Sequence, residues 1–307
     1  LYEIKNMLLF FNINEKDKIE KSIISMISVL KNLFHKDKTI SLFNGSNNSN
    51  ITQIKNINKL YKDLKTKNMT NINNGLAIFE SKNLKIFFDV AKPTNKLLSQ
   101  NLHAGTLSFE LSYDGEKIIT NCGSIEKRIG KRPEFLRYSA AHSTIILNNT
   151  NISELVAKRS YKRAPKKISM TNNETNESLI WEAIHDGYNN NYKKIIKRKL
   201  KIDKKNPIIF GEDSIISSKI NSKKLLYNIR FHLTPSCSCI ITNDKKTVFI
   251  KTKKKHSWAF KSSSKLTLED SIYINDGKSV STTKQIVISG YAHSSKQTEK
   301  WSISKIN

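Results

Sequence analysis

The feature that most constrains this 307-residue chain is a change in the spacing of its apolar residues just beyond Asn74. Before that point, apolar residues recur every three or four positions, which is typical of amphipathic helices. Beyond it, short runs rich in Ile, Val, Phe, Leu and Thr follow one another without a sustained helical pattern. The runs are Leu76–Glu80, Leu84–Val90, Thr106–Leu111, Lys117–Asn121, Thr144–Leu147, Ser178–Ile184, Leu226–Leu233, Thr247–Ile250, Leu266–Ile274 and Gln285–Ser289.

Turn signals separate these runs. Asp114-Gly115, Asp186-Gly187, Asn243-Asp244 and Asp276-Gly277 are the kind of pairs that favour tight hairpin turns. Many short strands at this spacing predict an all-β sandwich. The lack of helical segments between them argues against a parallel sheet of βαβ units. We also interpret Glu212-Asp213 as a turn.

The first 66 residues have three helical patterns. The clearest runs from Ile19 to Phe34, with Asn14 placed as an N-cap and Asp17 in the first turn. Three short helices cannot bury their apolar stripes among themselves, so we expect them to be the end of a larger helical domain. Lys65–Asn74 is polar and is predicted to be a linker. The prediction is an α+β chain, with a helical domain at 1–66 and a β domain at 67–307.

The formal charge of +27 suggests a polyanionic partner: a nucleic acid, an acidic polysaccharide or a membrane surface. Lysine far outnumbers arginine, however, and asparagine and isoleucine are also abundant, as in proteins from AT-rich genomes. Dedicated phosphate recognition would favour arginine, and aromatic residues are not interleaved with the basic clusters as base stacking requires. We therefore rank nucleic-acid binding last. No apolar run approaches the roughly 20 residues that a membrane-spanning helix needs.

Two histidines lie at the entrances of apolar strands. His103 opens the sequence HAGTLSFEL, and His142 directly precedes STIIL. The run between them ends at Asn121. Polar side chains at three strand ends can converge at one edge of a sheet, where they would form a site. A single histidine in such a place is more often a hydrogen-bonded structural residue, and that alternative stays open.

Taken in order, these segments resemble the C-terminal β-sandwich of the heparinase II/III-like polysaccharide lyases. The matching segments are His103–Leu111, Ile118–Gly123, Arg137–Thr144, Trp181–Tyr188, Gly211–Asp213, Ile229–Leu233 and Gln285–Gly290. The helical part, with Leu42–Gly45, is similar to the last helices of the (α/α) toroid that precedes this sandwich. The resemblance implies the C-terminal helices of a truncated toroid, followed by a large antiparallel β-sandwich.

The resemblance also implies a reaction. Such lyases cleave uronate-containing polysaccharides by β-elimination: a base removes the proton α to the carboxylate, and an acid protonates the leaving oxygen. A further group stabilises the charge that develops on the carboxylate. In the family, Tyr with His or Asn from the toroid, and His from the sandwich, face a cleft between the domains. The implied partner is an acidic polysaccharide, and the implied location is the bacterial cell envelope or periplasm.

Carried over residue by residue, the resemblance gives a candidate metal site. His103 and His142 match the two histidines that hold a structural zinc in some members, and Asn121 falls where the family commonly has the Asp ligand. A neutral amide is a poor zinc ligand, which counts against zinc as a cofactor. The catalytic histidine of the family's sandwich falls at Asn101, and Gly105 replaces a usual Asp.

The catalytic candidates are therefore His103 and His142, either of which can face the cleft as an acid, a base or a carboxylate-binding group. Arg137 joins them as a bidentate partner for a uronate carboxylate. A structural salt bridge is the alternative for Arg137.

The candidates for substrate binding are Asn101, Arg230 and His232. Alternation along Leu226–Leu233 places Arg230 and His232 on one polar face, which either lines a saccharide groove or is simply solvated. The leading prediction is a lyase acting on an acidic glycan. The alternative is a non-catalytic carbohydrate-binding or envelope polysaccharide-processing protein on the same fold.

Overall fold

The computed structural model of the chain describes residues 2–11, 16–62, 70–72, 75–93, 101–126, 134–156, 161–218, 224–293 and 295–306. The helices are α1 (Tyr2–Phe10), α2 (Lys16–Asn32), α3 (Ile51–Leu60) and the short α4 (Asn189–Tyr192), with single 3-10 turns at Glu134–Arg137 and Ser139–Ala141. The strands are β1 (Asn71–Ile72), β2 (Leu76–Glu80), β3 (Leu84–Asp89), β4 (Phe109–Tyr113), β5 (Glu116–Thr120), β6 (Ile145–Leu147), β7 (Glu154–Leu155), β8 (Tyr161–Arg163), β9 (Ile168–Glu174), β10 (Ser178–His185), β11 (Lys194–Asp203), β12 (Ile208–Ser217), β13 (Leu225–Leu233), β14 (Ser238–Ile241), β15 (Thr247–Lys251), β16 (Ser257–Ser262), β17 (Leu266–Tyr273), β18 (Ser281–Ala292) and β19 (Lys296–Ile306).

Two antiparallel sheets form a sandwich. The first sheet has the strand order β1-β2-β3-β4-β5-β13-β18-β17, with β6 also paired to β13. The second has the order β14-β15-β16-β19-β12-β11-β10-β9, while β7 and β8 form a separate hairpin. The inner faces share one apolar core, in which the Phe231 ring centroid lies 4.7 Å from Phe260 and 4.8 Å from Trp301. The prediction of an antiparallel β-sandwich is therefore confirmed.

Most of the predicted strands are present, but their limits differ. The run predicted from Thr106 begins instead at Phe109, because Leu107 adopts a left-handed backbone conformation with φ +60° that a strand cannot contain. The turn predicted at Glu212-Asp213 is wrong. Both residues lie inside β12. Asp213 is buried there and forms an ion pair with Arg198 of β11.

The strand β11 is among those absent from the predicted runs, because lysines alternate with its apolar residues and no apolar run stands out. Burial in fact alternates along it, with Ile196, Leu200 and Ile202 facing the core and Lys197, Lys199 and Lys201 facing outward. The snorkelling of long lysine side chains lets a strand of this composition cover one face of a sandwich. The predicted boundary between residues 66 and 67 lies outside the described residues.

The three predicted helices form, and their apolar residues are only partly covered. Met7, Phe10, Met26 and Leu60 are all more than half exposed, and a groove of about 800 Å³ lies between α2 and α3. The other side of this helical part packs on the outer face of the first sheet, where Leu33 and Phe43 contact buried side chains of β2 and β3. No helix in the described ranges is long and apolar enough to cross a membrane.

A buried carboxylate, that of Glu110 on β4, joins the segment after α2 to the first sheet. Its Oε2 accepts a hydrogen bond from His35 Nε2 at 2.9 Å, and Lys117 Nζ lies 3.9 Å away. Its Oε1 accepts from the backbone N–H groups of Leu42 and Asn121. Burial disfavours the charged form, but Lys117 and the His35 hydrogen bond outweigh it and hold the pKa of Glu110 below its usual value.

Replacing Glu110 by Gln should therefore weaken the whole junction. We expect the free energy of unfolding to fall by about 3 kcal/mol, because the Lys117 ammonium is left buried without a countercharge. Urea denaturation measures the change. The Asp270→Asn variant, which breaks a surface ion pair with Lys284, is the control and should leave stability unaltered. A loss for Glu110→Gln no larger than that of the control would contradict this account.

Candidate functional site

The structure brings His103 and His142 into direct contact. His103 Nδ1 lies 3.2 Å from His142 Nε2, and the two rings meet edge to face with centroids 5.3 Å apart. The side chains are only 5% and 2% exposed respectively. The backbone N–H of His103 also donates to Asn44 Oδ1, so the pair sits where the helical part meets the sandwich.

The hydrogen bonds assign the protons of this pair. His142 Nδ1 lies 2.9 Å from the carbonyl oxygen of Tyr138, which can only accept, so Nδ1 carries a proton. Burial lowers the pKa of His142 to about 4, and the ring is neutral at pH 7. Its Nε2 is then the acceptor, and His103 Nδ1 donates to it.

Gly105 makes room for His142. A Cβ atom at position 105 would lie 2.5 Å from His142 Cδ2, which is closer than van der Waals contact allows. The glycine that replaces the family's usual Asp therefore has a packing reason in this chain. Any side chain at position 105 must displace the His142 ring.

Asn121 is fully buried and is connected to the pair through the residue that follows His142. Its Oδ1 accepts from the backbone N–H of Ser143, the residue after His142, at 3.0 Å. Its Nδ2 is buried with no hydrogen-bond partner among the described residues. The side chain thus fills one half of the role that a carboxylate would have, that of an acceptor for Ser143.

The donor set decides whether zinc fits. Two imidazole nitrogens 3.2 Å apart match the edge of a zinc tetrahedron, about 3.3 Å for bonds of about 2.0 Å. The third family position holds Asn121, whose Nδ2 cannot ligate. Within the described ranges, no group of three or more His, Cys, Asp or Glu residues can hold a metal. The residues present do not complete a two-His, one-Asp site.

Arg137 is buried and holds the segment that carries His103. Its Nε donates to the carbonyl of Leu102 at 3.1 Å, and its Nη1 pairs with Glu134 at 3.0 Å. Its own carbonyl accepts from the backbone N–H of Ala104. The salt-bridge alternative is thus present, and the guanidinium is bonded to the chain itself. Asn101, two residues before His103, is exposed.

The face of β13 that carries Arg230 and His232 is largely covered. His232 is 2% exposed and its Nδ1 lies 2.7 Å from Ser271 Oγ, so the interpretation of a solvated face is wrong for this residue. The reason is that side chains of β17 and of the segment after β5 cover this face, with Cys122 Sγ also 3.6 Å from His232 Nδ1. Arg230 is half-buried and pairs with Glu269 at 2.8 Å.

Two features of the site were missed by sequence reasoning. Asn44 is the acceptor for His103, and its position in an Asn-rich stretch gave no signal of that role. Asp89, at the end of β3, is buried, and burial raises the pKa of its carboxyl to about 7. Only contacts between distant parts of the chain identify either residue.

A second concave region of the described residues lies away from the histidine pair. It has a volume of about 920 Å³ and lies where the loop after α2 meets the sandwich, lined by polar side chains that include Asp37, Lys117 and Tyr273. None of the predicted site residues lines it. We place the candidate site at the histidine pair, because the volume of a cavity does not by itself indicate a reaction.

Helices packed on one sheet of a large antiparallel sandwich, with a histidine pair at their contact, define a protein of mixed helical and β-sandwich architecture. The chain belongs to the heparinase II/III-like family, whose C-terminal domain profile matches residues 71–302. A search of the curated proteins finds no match.

Solved structures similar to this chain include heparan sulfate lyase HepC from Pedobacter heparinus. It has a TM-score of 0.74 at 13% identity, over 100% of this chain and 50% of that one. A second, described as heparinase III, has a TM-score of 0.70 at 14% identity, over 99% of this chain and 51% of that one. At this identity the likeness establishes the fold, and the chain spans about half the length of these proteins.

Substituting Gly105 by Ala should disturb the histidine pair. We expect a loss of about 2 kcal/mol in the free energy of unfolding, because the new methyl group forces the His142 ring from its place. Urea denaturation measures the loss, and imidazole nitrogen NMR reports the broken hydrogen bond to His103. Unaltered stability together with an unaltered imidazole spectrum would show that the contact is not tight.

Substituting Asn121 by Asp should supply the missing ligand. We expect the variant to bind Co²⁺ or Zn²⁺ at least about tenfold more tightly than the unmodified protein, since a carboxylate is a zinc ligand and an amide is a poor one. The visible spectrum of bound Co²⁺ reports the geometry. Adding His142→Ala to the variant should abolish the gain. Equal metal affinity with and without the substitution would refute a shared site.

Proposed function

We propose that this chain is the sandwich half of a lyase that cleaves an acidic, uronate-containing polysaccharide by β-elimination. The observation that carries the proposal is the hydrogen-bonded pair of His103 and His142 at the contact between helices and sandwich. Membership of the heparinase II/III-like family supports it, as does the likeness to solved heparan sulfate lyases. We further propose that α1–α3 end a helical toroid, and that the protein works in the bacterial cell envelope or periplasm.

His103 is the base in this proposal. Its Nδ1–H donates to His142 Nε2, so in the neutral ring the lone pair is on Nε2, the atom that takes the substrate proton in this proposal. It is also the more exposed member of the pair. His142 then stabilises the charge that His103 gains, because its Nε2 keeps accepting the Nδ1 proton. A neutral imidazole held in this way can act as a general base.

The elimination can be followed atom by atom. His103 Nε2 takes the proton from the carbon α to the sugar carboxylate, and that electron pair forms a double bond to the β carbon. The bond from the β carbon to the glycosidic oxygen breaks, and the leaving oxygen takes up a proton. The His103 imidazolium is an acid within the same site and can supply it. The charge on the carboxylate needs hydrogen-bond donors, for which the exposed Asn101 amide is a candidate.

The second candidate function is non-catalytic carbohydrate binding or polysaccharide processing in the envelope. The specific observation in its favour is Asn101, which stands where the family has its catalytic histidine and whose amide cannot act as a base. The chain spans only half the length of the similar structures, so both candidate functions are proposed for a region that corresponds to half of those proteins.

Ultraviolet absorbance of the unsaturated product tests the proposal directly. The full-length protein is incubated with heparan sulfate, chondroitin, alginate and bacterial exopolysaccharides. We expect activity on at least one polymer and a loss of about 100-fold in kcat for His103→Gln, the scale of a general base. The exposed His293→Gln is the control and should keep full activity. Silence on every polymer, with binding retained, would favour the non-catalytic function.

A further inference from the structure

A buried arginine of the second sheet reaches across the core towards the histidine pair. Arg198 on β11 is 0% exposed. Its Nε and Nη2 donate to the two carboxylate oxygens of Asp213 on the neighbouring strand, at 2.6 and 2.9 Å. Trp301 Nε1 donates to the same carboxylate at 2.9 Å. This bidentate pairing fixes the plane of the guanidinium, because both parallel bonds must be satisfied together.

The third nitrogen of the guanidinium, Nη1, bonds to residues outside the second sheet. Arg198 Nη1 donates to the carbonyl of Leu107 at 2.8 Å and to the carbonyl of Ser143 at 2.7 Å. Ser143 directly follows His142, and Leu107 lies in the loop that His103 opens. One nitrogen atom with two protons therefore connects the two segments that carry the histidines, and it sets the separation of their backbones.

One of those segments needs such support. Leu107 has φ +60°, a left-handed conformation that is unfavourable for a residue with a Cβ atom. Its N–H is tied to the carbonyl of Asp89, and its carbonyl is tied to Arg198. The loop that places His103 is thus held in a strained shape by hydrogen bonds from both sides.

Arginine is the side chain that suits this position. The guanidinium carbon lies 5.5 Å from the ring centroid of Phe109, 5.9 Å from that of Phe231 and 6.0 Å from that of Trp301. A planar, weakly hydrated cation fits between aromatic rings and still directs donors to four acceptor atoms. A lysine ammonium has no fork, so it cannot hold Asp213 in two bonds and bridge two carbonyls at once.

We propose that Arg198 is a positioning residue for the histidine pair: by bridging the carbonyls of Leu107 and Ser143, it sets the hydrogen bond between His103 and His142. The role in catalysis rests on the proposed lyase function. The geometric role does not, and it is measured without any substrate.

The test separates positioning from mere stability. In the full chain labelled with ¹⁵N, the coupling across the N–H···N bond between His103 and His142 reports their alignment. We expect Arg198→Lys to reduce this coupling by more than half. The control is Leu200→Ala, two residues along β11 on the same buried face, which removes packing from the core but leaves the hydrogen bonds of Arg198 in place. It should lower stability and leave the coupling intact.

A milder variant covers the case in which Arg198→Lys does not fold. Trp301→Phe removes only one donor to Asp213, so we expect a smaller reduction of the coupling in the same direction. The proposal is overturned by no coupling in the unmodified protein, by an unaltered coupling in both Arg198→Lys and Trp301→Phe, or by an equal loss in Leu200→Ala.

Kinetics distinguish this proposal from the lyase function. If the chain is active, Arg198→Lys should lower kcat at least tenfold with KM changed less than twofold, since substrate contacts are untouched. Full kcat in Arg198→Lys would overturn the catalytic part. A lost coupling in a protein with no lyase activity would reject the lyase function and leave the positioning role standing.

Discussion

The carboxylate of Glu110 is the interaction on which the rest of the structure depends. It is 0% exposed, and it gathers donors from the loop after α2 and from the first sheet. The loop it holds leads to Asn44, the acceptor for His103. The sheet residue it holds, Asn121, accepts in turn from Ser143. Both histidine segments are thus connected to one buried charge, through hydrogen bonds that a solvated carboxylate could not maintain.

The same cluster contains the residue types of a hydrolytic triad, but its side chains are buried. Ser112 Oγ lies 2.7 Å from His35 Nδ1, and His35 Nε2 is bonded to Glu110. All three side chains are buried, and burial together with the Lys117 charge lowers the pKa of His35, so the ring is neutral. The hydrogen bonds of these side chains connect the segment after α2 to β4 of the first sheet. The Ser112–His35–Glu110 chain is therefore a structural joint.

Periodicity was enough to predict the helices and most strands of the sandwich, because alternation and helical spacing are local properties. The same local reasoning contained a signal for Arg198 that was overlooked: it alternates in phase with Ile196, Leu200 and Ile202, and so belongs to the apolar face. Its partner Asp213 was misassigned to a turn. Pairing across strands depends on register, which is set by the hydrophobic patterns of both strands together with the turn that joins them.

At the candidate site, the groups that stabilise the fold can be distinguished from the groups that a reaction or a metal would require. Asn121 keeps the acceptor bond to Ser143 that a carboxylate would make, and it gives up the charge that a metal would require. Gly105 gives up a side chain and gains the space that the His142 ring occupies. The packing around the pair can thus persist while its ionisable groups change. The whole chain shows the same behaviour: its fold matches that of heparan sulfate lyase HepC with a TM-score of 0.74, although only 13% of the residues are identical. Function in this chain must therefore be argued from the two histidines and the side chains that hold them, since the sandwich alone would accept many other groups at these positions.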